Sequence, residues 1–588
     1  MDIFLAESRD RLRQAIDIEI SSLEESTRAL KSRRNALAPI SCLPLETLAA
    51  IFSFLSPEWN NDAGAGYLEW ICITHVCRRW REAALNHLRL WSHINLTKLA
   101  PAAMAEILLR AKMAPLHLEA DLTNSRKDQI DVIERQLEAH ISHTRHLCIR
   151  GHLQTALERL VSSAPILESL SLSQFWFPQT VIPVKLFNHT VPSLTTLKLD
   201  SCDISWKSPL LKGLQTLEML KPSTKARPKL EDWLDALNDM PQLKTLILQF
   251  ASPSASPATS IIPEPSRTVT LPSLTKFHIF AAAKDCALAL AHLVMPALTS
   301  LQVDAKSLNW EGEDVRVLIP YVARNVYGLQ STEPLRSMLI SSETGRIKVV
   351  AWTTPGADVK ECNPSILFSA SIPTLLMFDA TGSAWYPGVD TEIDDALLML
   401  LPLDSVSTLT AQNPTALSKE FWLSHASRWP SLEQASLVPT TIKGFRDMLA
   451  EDASPDGPRL PLLTKLILDG IILTLPRAYD LRDMLIERAE QGVPLEVLDL
   501  RTSVSDVRSI RLLREVVVDM QETLYLMKTI EGPLGDWHVQ GPWFGNTLDG
   551  EDEDEGDEEG EDDDGDDDDE EGEDEDGDDD DDDYVDED

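Results

Sequence analysis

Aromatic side chains are scarce in this chain. They make up 6% of 588 residues although 43% are hydrophobic, so any large core must be aliphatic, and leucine has to carry the packing. Seven cysteines (Cys42, Cys72, Cys77, Cys148, Cys202, Cys286 and Cys362) are spread over the whole length without a CxxC pair, which excludes a disulfide framework and predicts reduced, core-lining thiols. The N-terminal residues MDIFLAESRDRLRQ place charges where a secretion signal needs an apolar stretch. No later run reaches the roughly 18 apolar residues of a membrane span. The expectation is a soluble protein of the cytoplasm, the nucleus or both, with no membrane partner.

Catalytic signatures are missing as well. There is no glycine-rich phosphate loop, no G-x-S-x-G elbow, no HExxH and no paired-carboxylate setting, so the chain reads as non-enzymatic and free of cofactors. Cys42, Cys72, His75 and Cys77 lie near one another in sequence, yet none of the pairs has zinc-knuckle spacing, and no metal site is assigned.

Charge of one sign is concentrated in a single segment. Residues 549–588 hold 32 Asp and Glu and no Lys or Arg, and without them the net charge falls from -42 to -10. A body of that charge offers no phosphate-binding surface, which argues against a nucleic acid partner. The acidic tail, taken as residues 546–588, cannot collapse on itself and is expected to be disordered. Its polyanionic character would suit capture of basic proteins.

What the chain does have is leucine in two kinds of pattern. From Ile16, the positions Ile16, Ile20, Leu23, Thr27, Leu30, Arg34 and Leu37 alternate spacings of four and three, which describes one stripe on a helix over residues 1–38. Such a stripe can support a short coiled coil or lean on the next module; Pro39 ends it. Over residues 99–545 a second phrase recurs, in which Pro precedes Leu-x-x-Leu-x-Leu. The clearest copies start at Ala164, Val191, Met240, Leu271, Met295, Trp429, Leu460 and Val493, and the phrase fades between about Trp310 and Pro430, where a weak copy starts at Ile372. Alternating leucines put side chains on one face of a short strand, and the Pro stops a helix from running through. A single copy cannot bury that face, but stacked copies can, with segments such as LEDWLDALNDM from Leu230 supplying helices. The phrase resembles leucine-rich repeats, in a degenerate array whose Pro- and Ser-rich insert at 251–266 reads as a mobile loop.

Between the stripe and the array, residues 39–98 form a compact helical unit. ISCLPLETLAAIFSFL carries apolar residues at helical spacing, NNDAGAG at 60–66 breaks it, and YLEWICITHVCRRWREAALNHLRLW resumes it, with Cys72 and Val76 on one helical face. Leu43, Pro44, Glu46, Ile51, Phe52 and Leu55, followed by Val76, Cys77, Arg78, Arg79, Trp80, Leu90 and Trp91, resemble the LP-x-E, V-x-R-x-W and final LW pattern of the F-box family. The wording is most similar to the F-box-like proteins abundant in mushroom-forming fungi. That resemblance implies an α/β chain with a small helical F-box ahead of an irregular solenoid. It also implies an adaptor of a Skp, cullin and F-box ubiquitin ligase, with a Skp-family protein and through it a cullin as partners, and an unknown protein substrate on the repeats. The docking residues it nominates are Leu43, Pro44, Ile51, Phe52, Leu55, Val76, Cys77, Trp80 and Trp91.

Overall fold

The structure is a computed structural model. It describes residues 2–521 except 55–68, 176–178, 257–261, 263, 309–310, 330–333, 344, 355–373, 383–388, 413–416, 451–456, 501–502 and 506. The chain divides into two units, Met1–Gln540 and Gly541–Asp588. The second, with the acidic tail, lies outside the described residues, as do Cys362 and residues 257–261 and 263 of the Pro- and Ser-rich insert.

Helix α1, Asp2–Ala36, has neither Pro nor Gly to interrupt it. The chain then turns through a short 3-10 helix at Pro39–Cys42 into α2, Leu45–Ser53, for which Pro44 is the N-cap. After the undescribed stretch come a 3-10 turn at Glu69–Cys72, α3 at Ile73–Val76, α4 at Arg78–Asn86 and a last 3-10 turn at Leu88–Trp91. This second half is divided at Cys77, whose extended backbone (φ -158°, ψ 169°) separates α3 from α4.

The array is one sheet of seventeen strands among the described residues. In chain order these are β1 (His93–Asn95), β2 (Leu116–Asp121), β3 (Thr144–Arg150), β4 (Ser169–Ser173), β5 (Thr196–Asp200) and β6 (Thr216–Leu220). Next are β7 (Thr245–Gln249), β8 (Lys276–Ala282), β9 (Ser300–Ser307), β10 (Ser337–Glu343), β11 (Arg346–Trp352) and β12 (Thr374–Gly382). The last five are β13 (Thr408–Ala411), β14 (Gln434–Leu437), β15 (Lys465–Leu468), β16 (Val497–Asp499) and β17 (Asp519–Gln521). Every clear copy of the Pro-Leu phrase has become one of these strands, and LEDWLDALNDM supplies the helix Leu230–Asn238.

The register shows what the phrase is for. Leu170, Leu197, Leu217, Leu246, Phe277 and Leu301 are partners on successive parallel strands, and all are at most 1% exposed. Each buried side chain of this size contributes roughly 1.5–3 kcal/mol of transfer free energy. The intervening positions, such as Thr196, Lys198 and Asp200 of β5, face the other way and keep access to water.

Where the phrase fades, the topology changes. The strands β1–β9 lie in chain order, but β9 then pairs with β12, β12 with β11, β11 with β10, and β10 with β13, after which chain order resumes. Both pairings of β11 are antiparallel, while β9–β12 and β10–β13 are parallel, so a reversed strand is spliced into a parallel solenoid without ending it. Strands β11 and β13 are buried on both faces nearly throughout.

Candidate docking surface

Helix α2 sorts its residues by spacing. Leu45, Leu48, Ala49 and Phe52 turn inward, with Leu48 at 0% and Phe52 at 2% exposure, whereas Pro44, Thr47, Ile51 and Phe54 are all exposed at intervals of three and four. Ile51 is 42% and Phe54 64% exposed, and Val76 at the end of α3 is 56% exposed. Charged residues interrupt little of this stripe: only Glu46 lies in the first turn of α2.

The inner side of the unit is already full. Phe52 lies against Trp80 of α4, with ring centroids 5.0 Å apart. Trp70 meets Trp91 edge to face at 4.9 Å, and the Arg110 guanidinium sits 4.6 Å over the Trp91 ring. Trp91 is fully buried and donates its indole N–H to the Ala84 carbonyl at 2.9 Å. Arg79 donates to the Leu43 carbonyl at 2.5 Å and Arg81 to the Thr74 carbonyl at 2.9 Å, so the two arginines fasten the turn before α2 and the end of α3 to α4.

The nine nominated side chains therefore separate. Pro44, Ile51 and Val76 face outward. Leu43, Cys77 and Trp80 are half-buried, with Leu43 and Trp80 packed against the core. Phe52 and Trp91 point into the unit itself, where they hold the exposed face in place. Leu55 lies outside the described residues. Phe54 is not part of the motif pattern, although its position continues the 44, 47, 51 spacing; Arg79 is part of it, yet its clamp on Leu43 has no signature in the spacing.

The thiols are less uniformly internal than their apolar neighbours suggest. Cys202 and Cys286 are buried, and burial pushes the Cys202 thiol up to about 12 and Cys286 up as well. Cys42 and Cys72 are exposed, because the short turns at 39–42 and 69–72 lie on the rim of the unit. Cys72 and Val76 are both exposed, so packing does not account for their shared spacing. No group of three or more His, Cys, Asp or Glu side chains among the described residues is arranged to hold a metal ion.

With this geometry in place, residues 40–97 match the F-box-like family. This segment is an F-box-like domain. It is followed by a long, mostly parallel sheet with helices, consistent with a leucine-rich-repeat solenoid. No curated protein matches the chain. Among solved structures, one described as the crystal structure of a TLR13-ssRNA13 complex aligns at 13% identity and a TM-score of 0.28. That alignment covers 66% of this chain and 48% of the other, so the chain spans about half the length of the structure it matches. No helix among the described residues is long and apolar enough to cross a membrane.

Behind the F-box-like domain, the open face of the sheet forms a second surface. One column of partners runs Asn95, Glu119, Cys148, Ser171, Lys198, Glu218, Ile247, His278 and Gln302 across β1–β9, all exposed or half-buried. Beside it His93, His117 and His146 stack at centroid separations of 4.0 and 4.1 Å. Desolvation, reinforced by the flanking histidines and by Arg145 and Arg89, lowers His117 to about 3, so the central ring is neutral at physiological pH. On this face Lys198 pairs with Glu218 at 2.8 Å and Arg346 with both carboxylate oxygens of Asp379 at 3.0 and 2.5 Å, and the His278 ring shares a hydrogen bond with Asp304 at 2.5 Å.

Proposed function

We propose that the chain is a non-catalytic, substrate-recruiting adaptor of a Skp, cullin and F-box ubiquitin ligase. In this reading the F-box-like domain grips a Skp-family protein, and the repeat array holds a protein target close enough for ubiquitin transfer. The single observation that carries it is the exposed apolar stripe Pro44, Ile51 and Phe54 with Val76 nearby in the motif, on a domain whose interior is already packed by Leu48, Phe52 and Trp91. Apolar side chains left outside a filled core are the kind that a partner buries. A few of them, at roughly 1.5–3 kcal/mol each before association costs, support a stable complex.

The test is a pull-down of a Skp-family protein with the intact chain and with an Ile51→Asp, Val76→Asp double variant. Both positions are exposed, so folding should be retained and binding lost. Equal recovery with both chains, or none with either, removes the reading.

A second reading rests on the 32 acidic residues of 549–588, which would hold basic proteins in the manner of a histone chaperone. It requires a salt-sensitive interaction that disappears when 549–588 is deleted. A partner retained by the shortened chain would leave the tail with no such role.

A further inference from the structure

Helix α1 runs for 35 residues, about 52 Å at the α-helical rise, yet every side chain from Arg11 to Arg34 is exposed. Its apolar stripe is therefore uncovered: Ile16 and Ile20 are each 48% exposed, Leu23 62%, Leu30 64% and Leu37 86%. An isolated helix gains little from propensity alone, and amphipathic helices are held mainly by burial of their apolar face.

The charges say what would cover it. Between Ala15 and Leu37 the acidic residues Asp17, Glu19, Glu24 and Glu25 all precede the basic residues Arg28, Lys31, Arg33 and Arg34. Two copies side by side in the same direction would place like charges opposite each other. In opposite directions, the acidic half of each helix meets the basic half of the other, while the apolar stripes face along their length. We infer that α1 is an antiparallel self-association helix whose occupant is α1 of a second copy. Within one chain, Glu24 and Arg28 already form an i,i+4 ion pair at 2.9 Å on the exposed surface, and Asp17, Glu19, Lys31 and Arg33, which flank the stripe, are the charges that would face the second helix.

The experiment uses the full chain. Light scattering after size exclusion should give twice the 65.5 kDa chain mass, with dissociation on dilution. An Asp17→Lys, Glu19→Lys variant and a Lys31→Glu, Arg33→Glu variant should each self-associate about tenfold more weakly or worse, and an equimolar mixture of the two should recover dimer. Orientation is read by oxidation: Ile16→Cys mixed with Arg34→Cys should give a 16–34 crosslink, identified by peptide mass, whereas Ile16→Cys alone should give none. A monomer at every concentration overturns the inference. So does a 16–16 crosslink, which requires parallel helices, and so do charge-reversed variants that dimerise as well as the parent chain.

Discussion

Phe52 on α2 and Trp80 on α4 meet with ring centroids 5.0 Å apart and planes inclined by 50°, joining the two halves of the F-box-like domain across the stretch 55–68. Phe52 is 2% exposed, whereas its neighbour Ile51 is 42% exposed. Adjacent residues of one motif thus have opposite duties. Phe52→Ala should cost about 3–5 kcal/mol by opening a cavity under Trp80, seen as an earlier denaturant transition of this domain. Ile51→Ala should leave that transition within about 0.5 kcal/mol while weakening the Skp-family complex. A Phe52→Ala chain as stable as the parent would show that the ring contact does not hold the halves together.

Arg488 makes a comparable case in the array. It is 2% exposed and donates to the carbonyls of Arg459, Leu460 and Leu463 at 3.0, 3.1 and 3.3 Å. Two earlier repeats use an arginine the same way: Arg428 reaches the Leu398 and Leu401 carbonyls, and Arg324 reaches Leu290. Desolvation lowers Arg488 to about 10, still far above physiological pH, so the side chain remains a cationic donor. Arg488→Met keeps the stem but strands the carbonyls, with an expected loss of about 3 kcal/mol and hydrogen exchange accelerated around 457–500. Unchanged protection there would mean the carbonyls find other donors.

These two sites show what the sequence could and could not convey. Leu-x-x-Leu-x-Leu is legible because a strand with one wet face must alternate, and Leu197 and Leu199 are both buried while Lys198 is not. The phrase fades at RIKVVAW and TLTA because β11 and β13 are buried on both faces, and such strands read as continuous apolar runs. The reversal of β11 has no local signature, since pairing direction is decided by residues far apart in sequence. In the F-box-like domain, spacing identified the anchors but could not divide Phe52 and Trp91 from Ile51 and Val76. The break at Cys77 resets the helical phase, so which face is inside depends on how α2 and α4 pack.

The histidine stack predicts acid sensitivity. His117 is lowered to about 3 in the folded chain by desolvation first and then by His93, His146, Arg145 and Arg89, and it returns to an ordinary 6.5 on unfolding. A group whose folded value is depressed in this direction is neutral when folded and binds a proton when unfolded below pH 6.5. Its contribution to stability is therefore intact above 6.5 and is lost as pH falls toward 3, at up to about 1.4 kcal/mol per pH unit. Unfolding free energy measured between pH 7 and 4 should fall less steeply for His117→Gln, by close to one proton. An identical slope in the two chains would mean the ring is not desolvated by its neighbours.

Gly444 sets two effects against each other. It lies within the helix Pro439–Leu449, where alanine is ordinarily favoured over glycine by about 1 kcal/mol. A Cβ at this position, however, would stand 2.1 Å from the Leu417 carbonyl oxygen and 2.9 Å from the Ser418 carbonyl carbon, both backbone atoms with little freedom to retreat. Ser418 also caps the helix Lys419–Ala426, accepting the Phe421 N–H at 3.2 Å, so pushing residues 417–418 away disturbs a second helix. Overpacking of this kind costs about 1–3 kcal/mol and outweighs the propensity gain. Gly444→Ala should therefore lower the thermal transition of the array. A stabilised variant would show that helix Pro439–Leu449 stands farther from residues 417–418 than this contact requires.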